Sequence, residues 1–223
     1  MQTFTPMLVH GLKSFSIESL VTVSVGVVVD LATAIGSAFH PFADAIMTVL
    51  MECLRDTSVY RDVKPVVFSS LGDIAMAIGA GFEPYLQMSL MLLMQAAQQQ
   101  VPPDDPEILE FINSLRVSVL EAYSGIMIGL SEGGRSESFL GALTAVWQFL
   151  SFLANDSLKD EIVLQKAVAL LGDLANEMPD PVKPIIQQPF VVQLVSAAQA
   201  SSNDETREYA NWTKEKLELV MRS

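Results

Sequence analysis

The chain has 223 residues, half of them apolar and only 17% charged, which excludes a disordered segment and supplies a substantial core. Its 26 acids against 13 bases leave a net charge of −13, which argues against nucleic acid as a partner and for basic proteins. The single Cys53 excludes an internal disulfide or a multi-cysteine zinc site and reads as a small buried apolar residue. Residues 1–10 lack the basic start and apolar run of a signal peptide. The apolar stretch 20–38 contains Ser24, Asp30 and Thr33, so it reads as a buried helix and no membrane insertion is expected.

Helical periodicity runs through the chain, in pairs. The first pair is expected at about 4–15 and 17–36, opening on Phe4-Thr5-Pro6 and ending on Ala34-Ile35-Gly36-Ser37-Ala38-Phe39-His40-Pro41. The second, 39–55 with 60–79, ends on Ala77-Ile78-Gly79-Ala80-Gly81-Phe82-Glu83-Pro84. These octets repeat at an offset of 43 residues, which also superposes Asp30-Leu31 on Asp73-Ile74. Each glycine stands where a helix must stop, and each proline near the next helix start, where a missing N–H costs little. Ile46, Val49, Leu50, Cys53 and Leu54 form one apolar stripe, and Val66, Val67, Leu71, Ile74 and Ile78 another.

The third pair, 82–99 with 107–130, is interrupted by the spacer 101–106. Its Met88–Met94 run reads as core filler ahead of an adaptable binding surface. After a turn at 131–136 comes the fourth pair, 136–154 with 158–177, in which Leu171-Gly172-Asp173-Leu174 restores the Gly-Asp pair. Trp147, Phe149, Leu150 and Phe152 read there as inter-repeat core. The fifth pair is expected at 181–200 and 203–221 after the diverged start Val182-Lys183-Pro184. No alternating strand pattern persists.

This pattern predicts an all-α fold: one right-handed solenoid of about five HEAT-type repeats, approximately 1–38, 39–81, 82–131, 132–179 and 180–223. Such lengths exceed the 34 residues of tetratricopeptide repeats. Stacking supplies the core that one pair cannot build alone. The apolar first helix leads us to expect repeats upstream of it, an exposed apolar side around Met7, Leu8, Val21, Val25 and Val28, and self-association through that end. The charged last helix suits a terminal cap.

Candidate function sits on that last helix. Tyr209, Ala210, Thr213, Leu217 and Val220 make an inward stripe, while Glu205, Glu208, Trp212, Glu215 and Leu219 follow a separate 3-4-3-4 spacing. Carboxylates accept hydrogen bonds from Arg and Lys, and an indole face attracts a cation; a solvated capping face is the plainer alternative. Asp30, Asp73 and Asp173 recur at one place in the second helix of three units, with Glu121 nearby in the third. They would line up as an acidic track, or bond locally to backbone or a neighbouring repeat. Catalysis finds no support. Asp104-Asp105 and Asp160-Glu161 suit helix starts, His10 and His40 are isolated, and Gly133-Gly134 lacks the rest of a phosphate loop. No cofactor or metal is expected.

Leu115-Arg116-Val117-Ser118-Val119-Leu120-Glu121-Ala122-Tyr123-Ser124-Gly125-Ile126 resembles the Leu-Arg-x-Ser-x-Leu-Glu-Ala-Tyr-Thr-Gly-Ile stretch of the importin-β (karyopherin-β) family. Gly72-Asp73-Ile74-Ala75-Met76-Ala77-Ile78-Gly79, Val63-Lys64-Pro65 and Ala210-Asn211-Trp212-Thr213-Lys214-Glu215 are similar to further stretches of it, in order along the whole chain. The resemblance implies the last repeats of a nuclear transport receptor that shuttles between cytoplasm and nucleus. It implies that inner helices hold the basic importin-β-binding segment of importin-α or basic cargo proteins, and that outer helices take nucleoporin Phe-Gly repeats. Ran, on this resemblance, binds mainly to N-terminal repeats that this chain does not include. Residues matching that reading are Trp212, Glu205, Glu208, Glu215, Asp173, Glu121, Asp73 and Asp30. The alternative from the residues alone is a HEAT scaffold or adaptor subunit of another complex.

Overall fold

The computed structural model describes residues 4–99 and 105–222; Asp104 and most of the expected spacer lie outside the described residues. The helices are α1 (Phe4–Leu12), α2 (Glu18–Ile35), α3 (His40–Arg55), α4 (Val63–Ile78), α5 (Glu83–Ala97), α6 (Pro106–Glu132), α7 (Leu143–Asn155), α8 (Glu161–Glu177), the short α9 (Pro179–Val182), α10 (Pro189–Gln199) and α11 (Asp204–Arg222). No strand occurs among the described residues. The fold is an all-α solenoid of paired helices, as the repeat predicts.

The 43-residue motif has a local cause. Gly36 and Gly79 end α2 and α4 at φ 54° and 56°, a backbone that side chains with a Cβ rarely adopt. One 3-10 turn follows, Gly36–Phe39 or Gly79–Phe82, and sets its phenylalanine fully inside: Phe39 and Phe82 are both 0% exposed. Burying each ring stabilises the junction by about 1.5–3 kcal/mol. Pro41 and Pro84 then occupy the first turn of α3 and α5, where no intrahelical bond is lost. Asp105 caps α6 by accepting from the N–H groups of Glu107 and Ile108, and Asp160 caps α8 by accepting from that of Val163.

Two layers result. The second helices α2, α4, α6, α8 and α11 pack each on the next without a break. In the layer of first helices, α1 meets α3, α3 meets α5 and α7 meets α10, but α5 and α7 scarcely touch. Across that junction Arg116 of α6 reaches the loop after α7, where its Nη2 lies 2.8 Å from Asp156 with side chains only 4% and 11% exposed. Its Nη1 donates to Asn113 Oδ1, Asn113 Nδ2 donates to the Leu158 carbonyl, and its guanidinium lies 5.3 Å from the centre of the Phe152 ring.

Some expectations need correction. The first helix of the fifth pair is broken into α9, a 3-10 turn at Lys183–Ile185 and α10, because Pro189 holds Gln188 extended at ψ 143°. The start expected at 136 is 3-10 through Ala142, and α7 begins only at Leu143. Val66 lies partly open at 36%, unlike the rest of its stripe. At the α1–α2 end Val21, Val25 and Val28 are buried rather than exposed; the open apolar residues are Phe4, Met7, Ile17, Leu20, Val23 and Val27. Val21, Val25 and Val28 belong to the packed face of α2, and Leu20, Val23 and Val27 to its open face. Glu18–Arg55, Val63–Ala97 and Ser136–Asn155 are each long and apolar enough to cross a membrane, by length and composition only. The polar residues in 20–38 therefore do not lower that stretch below a span's hydropathy. The first two stretches, however, are each two helices broken at Gly36 or Gly79.

Candidate functional site: an acidic groove across four second helices

A groove of about 710 Å3 crosses α4, α6, α8 and α11. Each helix gives it one stripe over two turns: Ser69, Asp73 and Met76; Glu121, Ser124 and Ile128; Lys166, Leu170 and Asp173; Glu205, Glu208, Tyr209 and Trp212. At roughly 8–10 Å between neighbouring axes the four helices span about 24–30 Å, which a helix of about 16–20 residues matches at 1.5 Å per residue. The volume suits one face of side chains from such a helix rather than the helix entire.

Six of the eight candidate residues come together here: Asp73, Glu121, Asp173, Glu205, Glu208 and Trp212. Asp30 is exposed on α2 and Glu215 is exposed on α11; neither lines the groove. Tyr209, expected inside, lines the groove, and the buried stripe of α11 is Thr206, Ala210, Thr213, Leu217 and Val220.

The local reading of these acids is visible in serine–carboxylate bonds between helices, and three of the four, all but Asp30, share the groove. Ser69 Oγ donates to Glu121 at 3.0 Å, Ser124 Oγ donates to Asp173, and Ser131 Oγ donates to Glu177 at 2.7 Å. A serine of one second helix thus meets an acid of the next, so Glu121 and Asp173 join repeats as well as line the groove. Burial pushes the Asp73 carboxyl above the usual range, and neighbouring Glu121 adds to it. Burial also raises Asp173, with Glu177 adding and the Ser124 bond and Lys166 opposing. Ionised, both carry unfavourable charge that an incoming cation would relieve.

Trp212 is half-buried because its ring lies over Gly172 of α8, where a Cβ would overlap the indole. That contact explains the recurring Gly-Asp pair. Glycine admits the next second helix, and the following aspartate turns into the groove. A Cβ at Gly72 would likewise stand 3.0 Å from the Ala122 Cα. Lys216 already stands 5.8 Å from the centre of the Trp212 ring, so an arriving cation shares that surface.

Lys166, among the described residues the one cation in the groove lining, and the serines are not among the residues expected from the sequence. The available signal was spacing: Lys166 lies seven residues before Asp173, on the same helical stripe.

A second cleft, about 410 Å3, lies between α5 and α7 and is lined by Met94, Ala97, Gln98, Ala145, Gln148, Phe149 and Phe152. Met91 and Met94 are open, at 38% and 40%, so part of the methionine run is surface and not core. Leu150 and Phe149 are buried as expected, whereas Phe152 stands open at 40%. Cys53 is 1% exposed and burial pushes its thiol up to about 11, which leaves it protonated near neutral pH. Among the described residues no group of three or more His, Cys, Asp or Glu side chains is placed to hold a metal ion.

Comparison with known proteins bears on this geometry. A family described as importin subunit beta-1-like, TPR repeats, matches residues 1–199. Importin subunit beta-1 of Arabidopsis thaliana is 36% identical over 217 residues, covering 96% of this chain and 25% of that protein. Importin subunit beta-1 of Schizosaccharomyces pombe is 31% identical over 224 residues, covering 99% and 26%. A crystal structure of importin beta in a polyethylene glycol condition superposes with a TM-score of 0.92 at 27% identity, covering 99% of this chain and 27% of that one. A Kap95:Nup1 complex gives 0.85 at 28% identity, covering 100% and 26%. The chain spans about a quarter of the length of these relatives. With the family match running through most of its length and the fold in agreement, this chain belongs to the importin subunit beta-1-like family.

Proposed function

We propose that this chain is the part of a nuclear transport receptor that holds a basic helical segment, that of importin-α or of a basic cargo protein, in the α4–α6–α8–α11 groove. The carrying observation is the convergence of five carboxylates and Trp212 on one groove with a single lysine among them. The receptor as a whole would shuttle between cytoplasm and nucleus, without membrane insertion or nucleic-acid binding. The test is calorimetry of the chain with an Arg/Lys-rich helical peptide. Trp212→Ala should weaken binding by about 2 kcal/mol, since an aromatic anchor loses packing and cation attraction together. Single exposed carboxylates should matter by about 1 kcal/mol or less. A Glu205→Lys/Glu208→Lys pair should cut binding and its salt dependence sharply, whereas Glu215→Lys, outside the groove, should change little. Wild-type affinity in Trp212→Ala and in the double variant, with unchanged unfolding, would refute the reading.

A second reading concerns the α5–α7 cleft, an apolar slot with an open phenylalanine and an open methionine. It suits a Phe-Gly nucleoporin segment, and the structurally similar Kap95 is known in complex with Nup1. Met94→Asp should abolish Phe-Gly peptide binding and leave the basic peptide unaffected; equal Phe-Gly binding in wild type and variant would exclude the cleft.

A further inference from the structure

Lys166 is anomalous. It stands on α8 between Gln165 and the apolar run 167–171, and it enters the acidic groove. Its Nζ lies 2.9 Å from Glu121 Oε1 on the neighbouring helix, and Glu121 Oε2 accepts from Ser69. Both oxygens of Glu121 are therefore occupied within the protein. On the other side Lys166 feels Tyr209 and Glu205 of α11. Burial alone would favour its neutral form, but Glu121, Tyr209 and Glu205 outweigh that and hold the ammonium above its ordinary range, so it is charged at neutral pH. Asp73, Glu205 and Glu208, by contrast, form no ion pair among the described residues.

The arrangement divides the groove. An acidic end with Asp73 lies on α4, another with Asp173, Glu205 and Glu208 lies on α8 and α11, and a neutralised zone sits between. We propose that Lys166 is a specificity-determining residue: it takes, in the free protein, the place of one ligand cation against Glu121, so that the groove selects helices whose two basic clusters flank a neutral or acidic residue. The inference rests on the basic-helix reading above and adds to it the pattern that the ligand must carry. Uniformly basic helices meet a like charge at the centre of the groove, which opposes them.

A purely structural role makes a different forecast. The Lys166–Glu121 pair is about a third exposed on each side, 32% and 35%, and such pairs contribute little to folding. If Lys166 only ties α6 to α8, its replacement leaves ligand preference unaltered.

The experiment uses the whole chain and two alanine-based helical peptides of about 20 residues, matching the groove's span. One carries Arg along one face; the other has the central Arg of that face replaced by Glu. Calorimetry is run on wild type, Lys166→Met, which keeps the aliphatic stem without the charge, and Lys166→Arg. Expected is a wild-type preference for the Glu-centred peptide. Lys166→Met should shift the ratio toward the all-Arg peptide by about two- to fivefold, the effect of one gained or lost exposed pairing, and Lys166→Arg should restore the wild-type ratio. The same ratio in wild type and Lys166→Met, with binding present, overturns the role of Lys166 and leaves the groove reading standing. No binding of either peptide by any of the three proteins overturns the groove reading and Lys166 selectivity with it.

Discussion

Adding one methyl group at Gly172 tests the contact that seats Trp212. A Cβ there would overlap the Trp212 ring and crowd Thr213 Oγ1, which is fully buried and donates to the Val168 carbonyl at 2.8 Å. Either the indole leaves α8 or the threonine gives up its bond. Overpacking of this kind costs about 1–3 kcal/mol, and loss of a buried hydrogen bond about 0.5–1.5 kcal/mol. Alanine returns about 1 kcal/mol of helix propensity. Gly172→Ala should therefore lower unfolding stability by about 1–2 kcal/mol on these opposing terms. Gly26→Ala is the control. It also sits within a helix, but nothing stands within 4 Å of the added carbon, so it should stabilise by about 0.5–1 kcal/mol. The assay is urea unfolding followed by circular dichroism, with indole emission in a Trp147→Phe background to report Trp212 alone. A red shift should accompany Gly172→Ala. Equal stabilisation by the two substitutions, with unshifted emission, would refute the packing argument and with it the idea that Gly172 places the indole at the groove.

Asp156→Ala should destabilise by about 3–5 kcal/mol, because it strands the buried Arg116 guanidinium; a loss below about 1 kcal/mol in denaturant unfolding would show that Arg116 finds another partner. Arg116→Met should cost less: it leaves no buried guanidinium behind, and Asp156, though it loses its cation, keeps the bond from the Leu158 N–H. Asp73→Asn and Asp173→Asn should be more stable than wild type at neutral pH. Their folded carboxyls titrate above the ordinary range, so the ionisation penalty is absent below about pH 4 and complete once pH passes the raised value. The advantage of the Asn forms should accordingly shrink on acidification; a gap independent of pH would show that burial of these carboxylates is not its source.

The junction geometry was written plainly in the chain. Gly36 and Gly79 demand a positive φ, and Phe39 and Phe82 supply the residue to be buried, so the repeat spacing carried its own physical explanation. The acidic stripe of α11 was legible in part, because one helix's periodicity is local information: Glu205, Glu208 and Trp212 line the groove, while Glu215 lies outside it and Tyr209, expected inward, lines it. Lys166 was not, since its partner Glu121 belongs to another repeat and a single lysine on a helix resembles a solvated charge. The slot between α5 and α7 was hidden for the same reason: Phe149 and Phe152 read alike in sequence, and only the separation of two first helices opens one and seals the other. Reading the outward and inward faces of α2 failed where periodicity identifies a stripe but not the neighbour it faces, as Val21 and Val23 illustrate.

The sparse contact between α5 and α7 has a mechanical side. At one edge of that junction Glu83 is held by Arg135 at 3.2 Å and by the Ser138 hydroxyl at 2.6 Å; further along lies the open slot, with the Arg116–Asp156 pair tying α6 to the loop after α7. Beneath it, α6 and α8 are pressed together and pinned by serine–carboxylate bonds. Bending stiffness there is lopsided. Flexing that widens or narrows the slot breaks few close contacts, whereas shearing α6 along α8 breaks many. Bending at that joint is thus expected to favour one direction over the other, like a strap hinge set into a rod.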